Sequence, residues 1–462
     1  MKTRRLLSVF LLVTLILSLL TMPIASANET EGPVLPEDPD ILAKAALLVE
    51  VESGAIAYAK NEHQELYPAS LTKVMTSLLV LEAIEDGVLS MDQEITASET
   101  AFAGLSSDGS NAGIKPGEIM TVRNLLYCML VVSANEACNI LAEAVSGSVE
   151  DFVRAMNQRA AELGCENTHF VNPNGLHDPQ HYTSAWDMYL ITREAMNHPD
   201  FLEISDTANV IIPATNLSKE RNYWTTNHLL STWRVIGYLN KEAHGIKTGS
   251  TDAAGHCLIS SAARGSLHYV SVILGADRVE ENGVGNIRSF SETTRMLNYG
   301  FENFTYQTVI EAKDPVQEVP VSLSEVDRVV ASAAEDTVVL MPKGLKPEHL
   351  ERKVILTSES LEAPVSTGQK LGVLELSYAG TLYATVDLLA MHDVEASKML
   401  VFLRDAKEFL AKPAVKITAI VLVVLILLLL VWKLLFSRRR YRYGRSVGRG
   451  RGGSSYRGRR RF

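Results

Sequence analysis

Cysteine is scarce in this chain: Cys128, Cys138, Cys165 and Cys257 are the only thiols in 462 residues. That is too few to be a disulfide framework for the exported stretch proposed below. Cys128 lies in the apolar run Leu125–Val132 and Cys257 in a strand-like run, so buried free thiols are expected, with a bridge from Cys128 or Cys138 to a distant partner left open. No Cys/His spacing of the zinc-binding kind occurs, so no metal ligand is assigned, and there is no internal repeat. Acidic residues are absent from both ends. Residues 1–27 carry three basic side chains and residues 433–462 carry twelve, which leaves residues 28–432 with 29 basic against 54 acidic groups, a net of −25. Such a charge disfavours nucleic acid as an extracellular partner and suits solubility beside other surface polymers.

The two ends say where the middle works. Lys2, Arg4 and Arg5, an apolar run from Leu6 to Leu20 and the small residues Ala25-Ser26-Ala27 have the order of a cleavable signal peptide over residues 1–27. At the other end, Ile417 to Phe436 is apolar except for Lys433, close enough to the end for its stem to snorkel. At about 1.5 Å per residue such a helix spans the ~30 Å hydrocarbon core, and residues 415–436 are read as a transmembrane helix. The Arg/Gly-rich tail 437–462 is cytoplasmic by the positive-inside rule. A single-pass protein of the cytoplasmic membrane follows, with its main body outside the cell. The tail's composition fits RNA or anionic lipid, or a disordered topology determinant, and its partner stays unknown.

Within the exported part, residues 28–42 form a flexible leader with Pro33, Pro36 and Pro39 among acids. Residues 43–300 alternate helical and strand patterns, an α/β or α+β domain. Residues 309–395 are short alternating runs broken by Gly and Pro: Val316–Val321, Val326–Ala331, Val338–Met341, Lys353–Leu356, Leu371–Ser377 and Thr381–Leu389, a small all-β, sandwich-like domain. Residues 396–414 are a juxtamembrane linker or helix, with Met399–Leu410 as the helical candidate.

Three short motifs carry chemistry. Tyr67-Pro68-Ala69-Ser70-Leu71-Thr72-Lys73 opens a helix at about Ser70, and positions three apart share a face, so Ser70 and Lys73 are neighbours at its N-terminus. A serine is a poor nucleophile until something takes its proton, and a lysine does so only when burial or a nearby cation lowers its pKa. Alone, a Ser cap followed by a surface lysine looks the same. Ser133-Ala134-Asn135 supplies a hydroxyl and an amide from a tight turn between two helical stretches. Lys247-Thr248-Gly249, before the paired runs Gly255–Ala263 and Leu267–Gly275, puts a lysine, a hydroxyl and a glycine on an edge strand where a carboxylate and a substrate backbone can approach.

Together, in this order and context, these motifs resemble the signature of penicillin-binding proteins and serine β-lactamases. The likeness extends over residues 40–395, including Asn172-Pro173-Asn174-Gly175-Leu176 and Gly245-Ile246-Lys247-Thr248-Gly249-Ser250-Thr251, and is to the low-molecular-weight D-alanyl-D-alanine carboxypeptidases with a small C-terminal β domain. The resemblance implies a DD-peptidase-like transpeptidase fold, peptidoglycan stem peptides as substrate, β-lactams as covalent inhibitors, and no cofactor. It implies Ser70 as acylated nucleophile, Lys73 as proton acceptor, Ser133 with Lys247 as proton relay, Asn135 on the substrate amide, and Thr248 with Lys247 on the terminal carboxylate. Gly249 completes the edge strand, and the backbone N–H groups of Ser70 and Ser250 would form the oxyanion hole. Two features depart from the family: Ser250 stands where some relatives carry a histidine or another large residue, and Ile417–Phe436 looks able to span the membrane rather than lie on it. DD-endopeptidase, β-lactamase and β-lactam sensor are the alternatives; the Glu-x-x-Leu-Asn run of class A β-lactamases does not occur.

Overall fold

The computed structural model describes residues 32–436 except 107–108 and 282–283. The expected signal peptide 1–27, the first residues of the expected leader and the tail 437–462 lie outside the described residues.

The first part of the chain is built on one antiparallel sheet. Strands β1 (Ala45–Glu50) and β2 (Ile56–Lys60) form a hairpin, five α-helices of ten or more residues follow among the described residues, α1 (Lys73–Glu85), α2 (Val122–Val131), α3 (Asn135–Ser146), α4 (Val149–Glu162) and α5 (Ala185–Ala195), and the chain returns as a meander of β3 (Ala243–Thr251), β4 (Gly255–Arg264) and β5 (Leu267–Ala276) before α6 (Arg288–Asn303). The strand order is β2-β1-β5-β4-β3, so β3 lies at an edge. The paired runs Gly255–Ala263 and Leu267–Gly275 form the expected hairpin, β4 with β5.

Every residue of β1 is buried, because the sheet is covered on both faces. Ala45, Leu47 and Val49 point with Val270, Val272 and Leu274 of β5 into a core filled by α1, α2, α3 and α5. Ala46 and Leu48 point the other way, with Tyr269 and Ile273, onto Met296, Leu297 and Phe301 of α6. A period of two therefore feeds two cores, each buried leucine contributing roughly 1.5–3 kcal/mol. Helix α1 lies in the larger core and buries residues all round its axis, from Lys73 and Val74 to Leu81 and Ala83. The surrounding helices are capped by side chains: Thr121 accepts from Asn124 N, Ser148 from Asp151 N and Ser184 from Asp187 N. Helix α3 stops at Gly147, in the left-handed conformation with φ +80°.

Helix α1 begins differently from the sequence expectation. Residues Ala69–Thr72 form a 3₁₀ turn and the α-helix starts at Lys73. Leu71 N donates to Pro68 O at 3.2 Å and Thr72 Oγ1 to Ala69 O at 2.8 Å, so the tightened turn satisfies groups that an α-helical first turn leaves open.

The C-terminal β region comprises β6 (Phe304–Ile310), β7 (Pro315–Ser322), β8 (Arg328–Ala333), β9 (Thr337–Pro342), β10 (Glu351–Leu356), β11 (Lys370–Tyr378) and β12 (Thr381–Ala390). Each run that alternates in the sequence is a strand. Strand β6 is an addition: it follows α6 without an intervening residue, so no turn signal marks its start. By contacts the chain divides into two compact units, the first including Glu335–Lys353 and Leu374–Val386 with everything up to Ala312, the second holding Lys313–Ala334, Val354–Val373 and the residues from Asp387 onward. In the first, β6 pairs antiparallel with β9, Tyr306 opposite Leu340. In the second, β7 pairs with β8, Val319 opposite Val329, and Ala331 of β8 pairs with Ala390. Two helices end the described chain, α7 (Lys398–Ala411) and α8 (Pro413–Phe436). Helix α8 is 24 residues long, with a mean hydropathy of 3.1 over an 18-residue stretch, long and apolar enough to cross a membrane by length and composition.

Gly300 marks a close helix–sheet contact: a Cβ there would lie 2.8 Å from Leu48 Cδ2 and 3.0 Å from Tyr269 Cε2. We expect Gly300→Val to lower stability by about 1–3 kcal/mol through overpacking, read as a drop in thermal midpoint. An unchanged midpoint would show that α6 is free to move off the sheet.

Candidate active site

Ser70 sits on the 3₁₀ turn that precedes α1, half-buried, behind Ala69 in the left-handed region at φ +49°. Three contacts hold this turn. His181 is buried, with Nδ1 accepting from Val171 N at 3.2 Å; its other nitrogen, Nε2, therefore carries the hydrogen and donates to Thr72 Oγ1 at 2.8 Å. Thr72 in turn donates to the Ala69 carbonyl. Gly175, at φ +86°, passes so close that a Cβ would fall 1.9 Å from Ala69 O. Only glycine fits there.

Lys73 lies one turn on and is fully buried. Its Nζ is 3.0 Å from Ser70 Oγ and donates to Asn135 Oδ1 at 2.8 Å and to the Asn174 carbonyl at 2.5 Å. Burial lowers its pKa from the ordinary lysine value. In the neutral amine, two N–H bonds go to the two carbonyl acceptors and the lone pair is left for the Ser70 hydroxyl. That is the arrangement of a base. The Asn174 carbonyl is held by the loop it sits in: Asn172 Oδ1 accepts from Asn174 N and Gly175 N, Pro173 O accepts from Thr76 Oγ1, and Asn174 Nδ2 donates to Asn139 Oδ1 at 3.2 Å.

The other two motifs meet across the chain. Ser133 stands between α2 and α3 in the left-handed conformation, φ +67°, and Asn135 is the first residue of α3. Lys247, on edge strand β3 and also fully buried, donates to Ser133 Oγ at 3.0 Å and to the Thr248 carbonyl at 2.9 Å. Burial and, after it, the neighbouring Lys73 push its pKa well below the lysine range. Strand β3 runs against the Ser70 turn, since a Cβ on Gly249 would lie 2.9 Å from Pro68 O and 3.1 Å from Ser70 N. Ser70, Ser133, Thr248, Gly249 and Ser250 line one cavity of about 190 Å³. Thus all eight residues singled out from the sequence converge.

Residues that sequence reasoning passed over also face this cavity: Thr226, whose Oγ1 is 2.6 Å from Thr248 Oγ1, His228, His256, Ser289 and Phe290. None falls in a motif. Asn174, Asn139 and His181 support the site from behind; the Asn172–Leu176 run carried the resemblance without an assigned role. Cys257 lines the cavity too; all four thiols are free, and burial lifts that of Cys257 to about 11 and that of Cys128 to about 12. Among the described residues no cluster of three His, Cys, Asp or Glu side chains suits a metal ion.

A half-buried serine on a buried amine, with a second serine–lysine pair opposite and a carboxylate-sized space beside an edge strand, defines a serine hydrolase of the acyl-transfer kind. The chain belongs to the D-alanyl-D-alanine carboxypeptidase family of serine peptidases, whose pattern matches residues 33–278; residues 304–396 match the C-terminal domain of penicillin-binding protein 5. It is 30% identical to the D-alanyl-D-alanine carboxypeptidase DacF of Bacillus subtilis (strain 168) over 401 residues, 87% of this chain and 97% of that one. It is 32% identical to DacA of Haemophilus influenzae over 371 residues, 80% of this chain and 89% of that one. The crystal structure of penicillin-binding protein 5 from Haemophilus influenzae superposes with a TM-score of 0.61 at 30% identity, covering 78% of this chain and 99% of that one.

The brace behind Ser70 has a pH signature. Burial drops the pKa of His181 from 6.5 to about 4, so between these values the unfolded chain binds a proton that the folded chain does not. Its contribution to stability is complete above about pH 6.5 and is lost as pH falls towards 4. Denaturant unfolding of the parent should weaken over that window, and His181→Gln should flatten the slope; identical slopes would remove His181 from this role.

Proposed function

We propose that this protein is a membrane-anchored serine-type D-Ala-D-Ala carboxypeptidase that removes the terminal D-alanine from peptidoglycan stem peptides through an acyl-enzyme on Ser70. The observation that carries this reading is the buried Lys73 amine 3.0 Å from Ser70 Oγ, its other acceptors fixed. Lys73 takes the Ser70 proton as Oγ attacks the carbonyl carbon of the penultimate D-alanine. The N–H groups of Ser70 and Ser250 donate to the oxyanion, a contribution of ~3 kcal/mol for one such donor. Ser133, held by Lys247, relays a proton to the leaving nitrogen, and the C–N bond breaks. Water then attacks the ester with Lys73 again as base, and the shortened peptide leaves as its acid. Asn135 uses its remaining N–H bonds on the substrate amide, and Thr248 with Lys247 receives the terminal carboxylate. A β-lactam enters the same path, but the ring-opened amine stays tethered, so no leaving group vacates the site and the ester persists.

Helix α8 supports an anchor, with the catalytic part outside the cytoplasmic membrane and the Arg-rich tail inside. Loss of the terminal D-alanine removes the bond whose energy crosslinking uses, so the activity limits crosslinks.

The test uses the full chain in detergent micelles with diacetyl-Lys-D-Ala-D-Ala and benzylpenicillin. The parent should release D-alanine and carry a penicillin adduct on Ser70 by mass spectrometry, and Ser70→Ala should lose both, release falling by at least about 10³-fold. The acylation rate should decrease as pH falls and Lys73 gains a proton, because the ammonium has no lone pair for the hydroxyl. Release of D-alanine by Ser70→Ala would sink the mechanism.

A further inference from the structure

Edge strand β3 carries Lys247, and its pairing with β4 is interrupted just before that residue. Ala243 stands opposite Ala262 and His244 opposite Ser261, but the next pair is Lys247 with Ile259. Three steps along β3 thus match two along β4, and one extra residue is taken up at Gly245–Ile246. Such a bulge decides where a side chain points, because a slip of one residue exchanges the two faces of a strand. With the bulge in place, Lys247 is buried with Nζ 3.0 Å from Ser133 Oγ, and Thr248 lines the substrate cavity. A register without the extra residue would turn Lys247 to the other face.

Backbone groups that a bulge takes out of the ladder need other partners. Side chains supply them here. Gly245 O accepts from Asn227 Nδ2 at 2.7 Å and from Ser260 Oγ at 2.9 Å, and His244 O accepts from Ser261 Oγ at 3.0 Å. Gly245 N donates to Asp206 Oδ1 at 2.9 Å, and the other oxygen of that carboxylate accepts from His244 Nδ1 at 3.0 Å. Asp206 directly follows the short helix Pro199–Ser205. A Cβ on Gly245, at φ +55°, would lie 3.0 Å from Ser205 Oγ and 3.2 Å from Ser205 O, so helix end and bulge touch. Of the four side chains on the bulge Asp206 alone is charged, and a charged acceptor makes the stronger hydrogen bond.

These groups stand apart from the substrate. Asp206 and His244 line a second cavity, of about 280 Å³, with Leu202, Ser205 and Ile246, and it shares no residue with the cavity at Ser70. An effect of Asp206 on the reaction has to travel through β3.

We propose that Asp206 is a positioning residue of this site: by holding the Gly245 N–H it pins the bulge that aims Lys247 at Ser133 and at the substrate's terminal carboxylate. The inference rests on the carboxypeptidase reading, which gives Lys247 both tasks, and adds the residue that keeps Lys247 in place for them.

The experiment compares the full chain in micelles with Asp206→Ala, Asp206→Asn and His244→Ala, for kcat and KM on diacetyl-Lys-D-Ala-D-Ala and for thermal midpoint. Alanine removes the acceptor, asparagine returns a neutral oxygen in its place, and His244→Ala removes the imidazole while leaving the Gly245 contact. Asp206→Ala should raise KM about ten-fold, the scale of a lost hydrogen bond to a charged group, and lower kcat as well, because carboxylate contact and proton relay both depend on Lys247. Asp206→Asn should recover most of the KM, and His244→Ala should keep it near the parent's. A merely structural role would reduce the fraction of folded enzyme, which scales kcat and leaves KM unchanged. Asp206→Ser, polar but one bond shorter, repeats the test should the alanine variant fail to fold. A parental KM in Asp206→Ala, or in Asp206→Ser where that variant stands in, overturns the assignment. So does a KM in Asp206→Asn or His244→Ala raised as far as in Asp206→Ala. A parent that releases no D-alanine and forms no penicillin adduct on Ser70 overturns the carboxypeptidase reading itself, and the role of Asp206 with it.

Discussion

Two buried lysine amines, each against a serine that lines one cavity, are the constraint around which this catalytic unit is organised. Taken from water as cations, Lys73 and Lys247 would each carry a desolvation cost of several kcal/mol, made worse by their like charge. Burial instead lowers the pKa of both, that of Lys247 well below the lysine range. A neutral amine in an apolar interior still needs acceptors for its N–H bonds, and the structure supplies carbonyl oxygens, Asn174 O and Asn135 Oδ1 for Lys73 and Thr248 O for Lys247. Acceptors without negative charge satisfy the hydrogens without restoring the ammonium, whereas a carboxylate in their place would raise the pKa and remove the base.

That requirement explains why so much distant chain is committed to the site. The Asn174 carbonyl is useful only if its loop is immobile, hence the Asn172 turn, the Thr76 hydroxyl on Pro173 O and the Asn139 amide. The same loop brings Gly175 against Ala69, so the element that holds the base also fixes the turn that carries the nucleophile. On the opposite side, Lys247 reaches Ser133 because the edge strand β3 lies against the Ser70 turn, and the sheet behind β3 is fixed by cores on both faces. Positioning of this kind contributes to catalysis by removing the entropy of assembling the reacting groups.

Legibility in the sequence follows the range of the interaction. Ser70 and Lys73 could be paired from their spacing, because three residues span one helical turn whether it is 3₁₀ or α. The β4–β5 hairpin was legible from its two paired apolar runs, and the strands of the β domain from alternation. The meeting of Lys247 with Ser133, separated by more than a hundred residues, has no local signature and came from resemblance. Asn174, His181 and His228 were not legible as parts of the site: one acts through its backbone carbonyl, one through a threonine, and one sits among apolar neighbours that look like any small core.

Ser250 shows how a local departure can be read once register is known. Some relatives place a histidine or another large residue directly after Lys-Thr-Gly, and a serine there looks like a lost side chain. In the sheet, however, Ser250 of β3 stands opposite His256 of β4, and both line the cavity. Residues directly opposite on adjacent strands project from the same face with Cβ atoms about 5 Å apart. The imidazole on this part of the wall comes from the neighbouring strand β4, directly across from position 250. With serine at position 250, His256 is the larger side chain of this cross-strand pair, so an imidazole stands on the cavity wall although the edge strand carries none there.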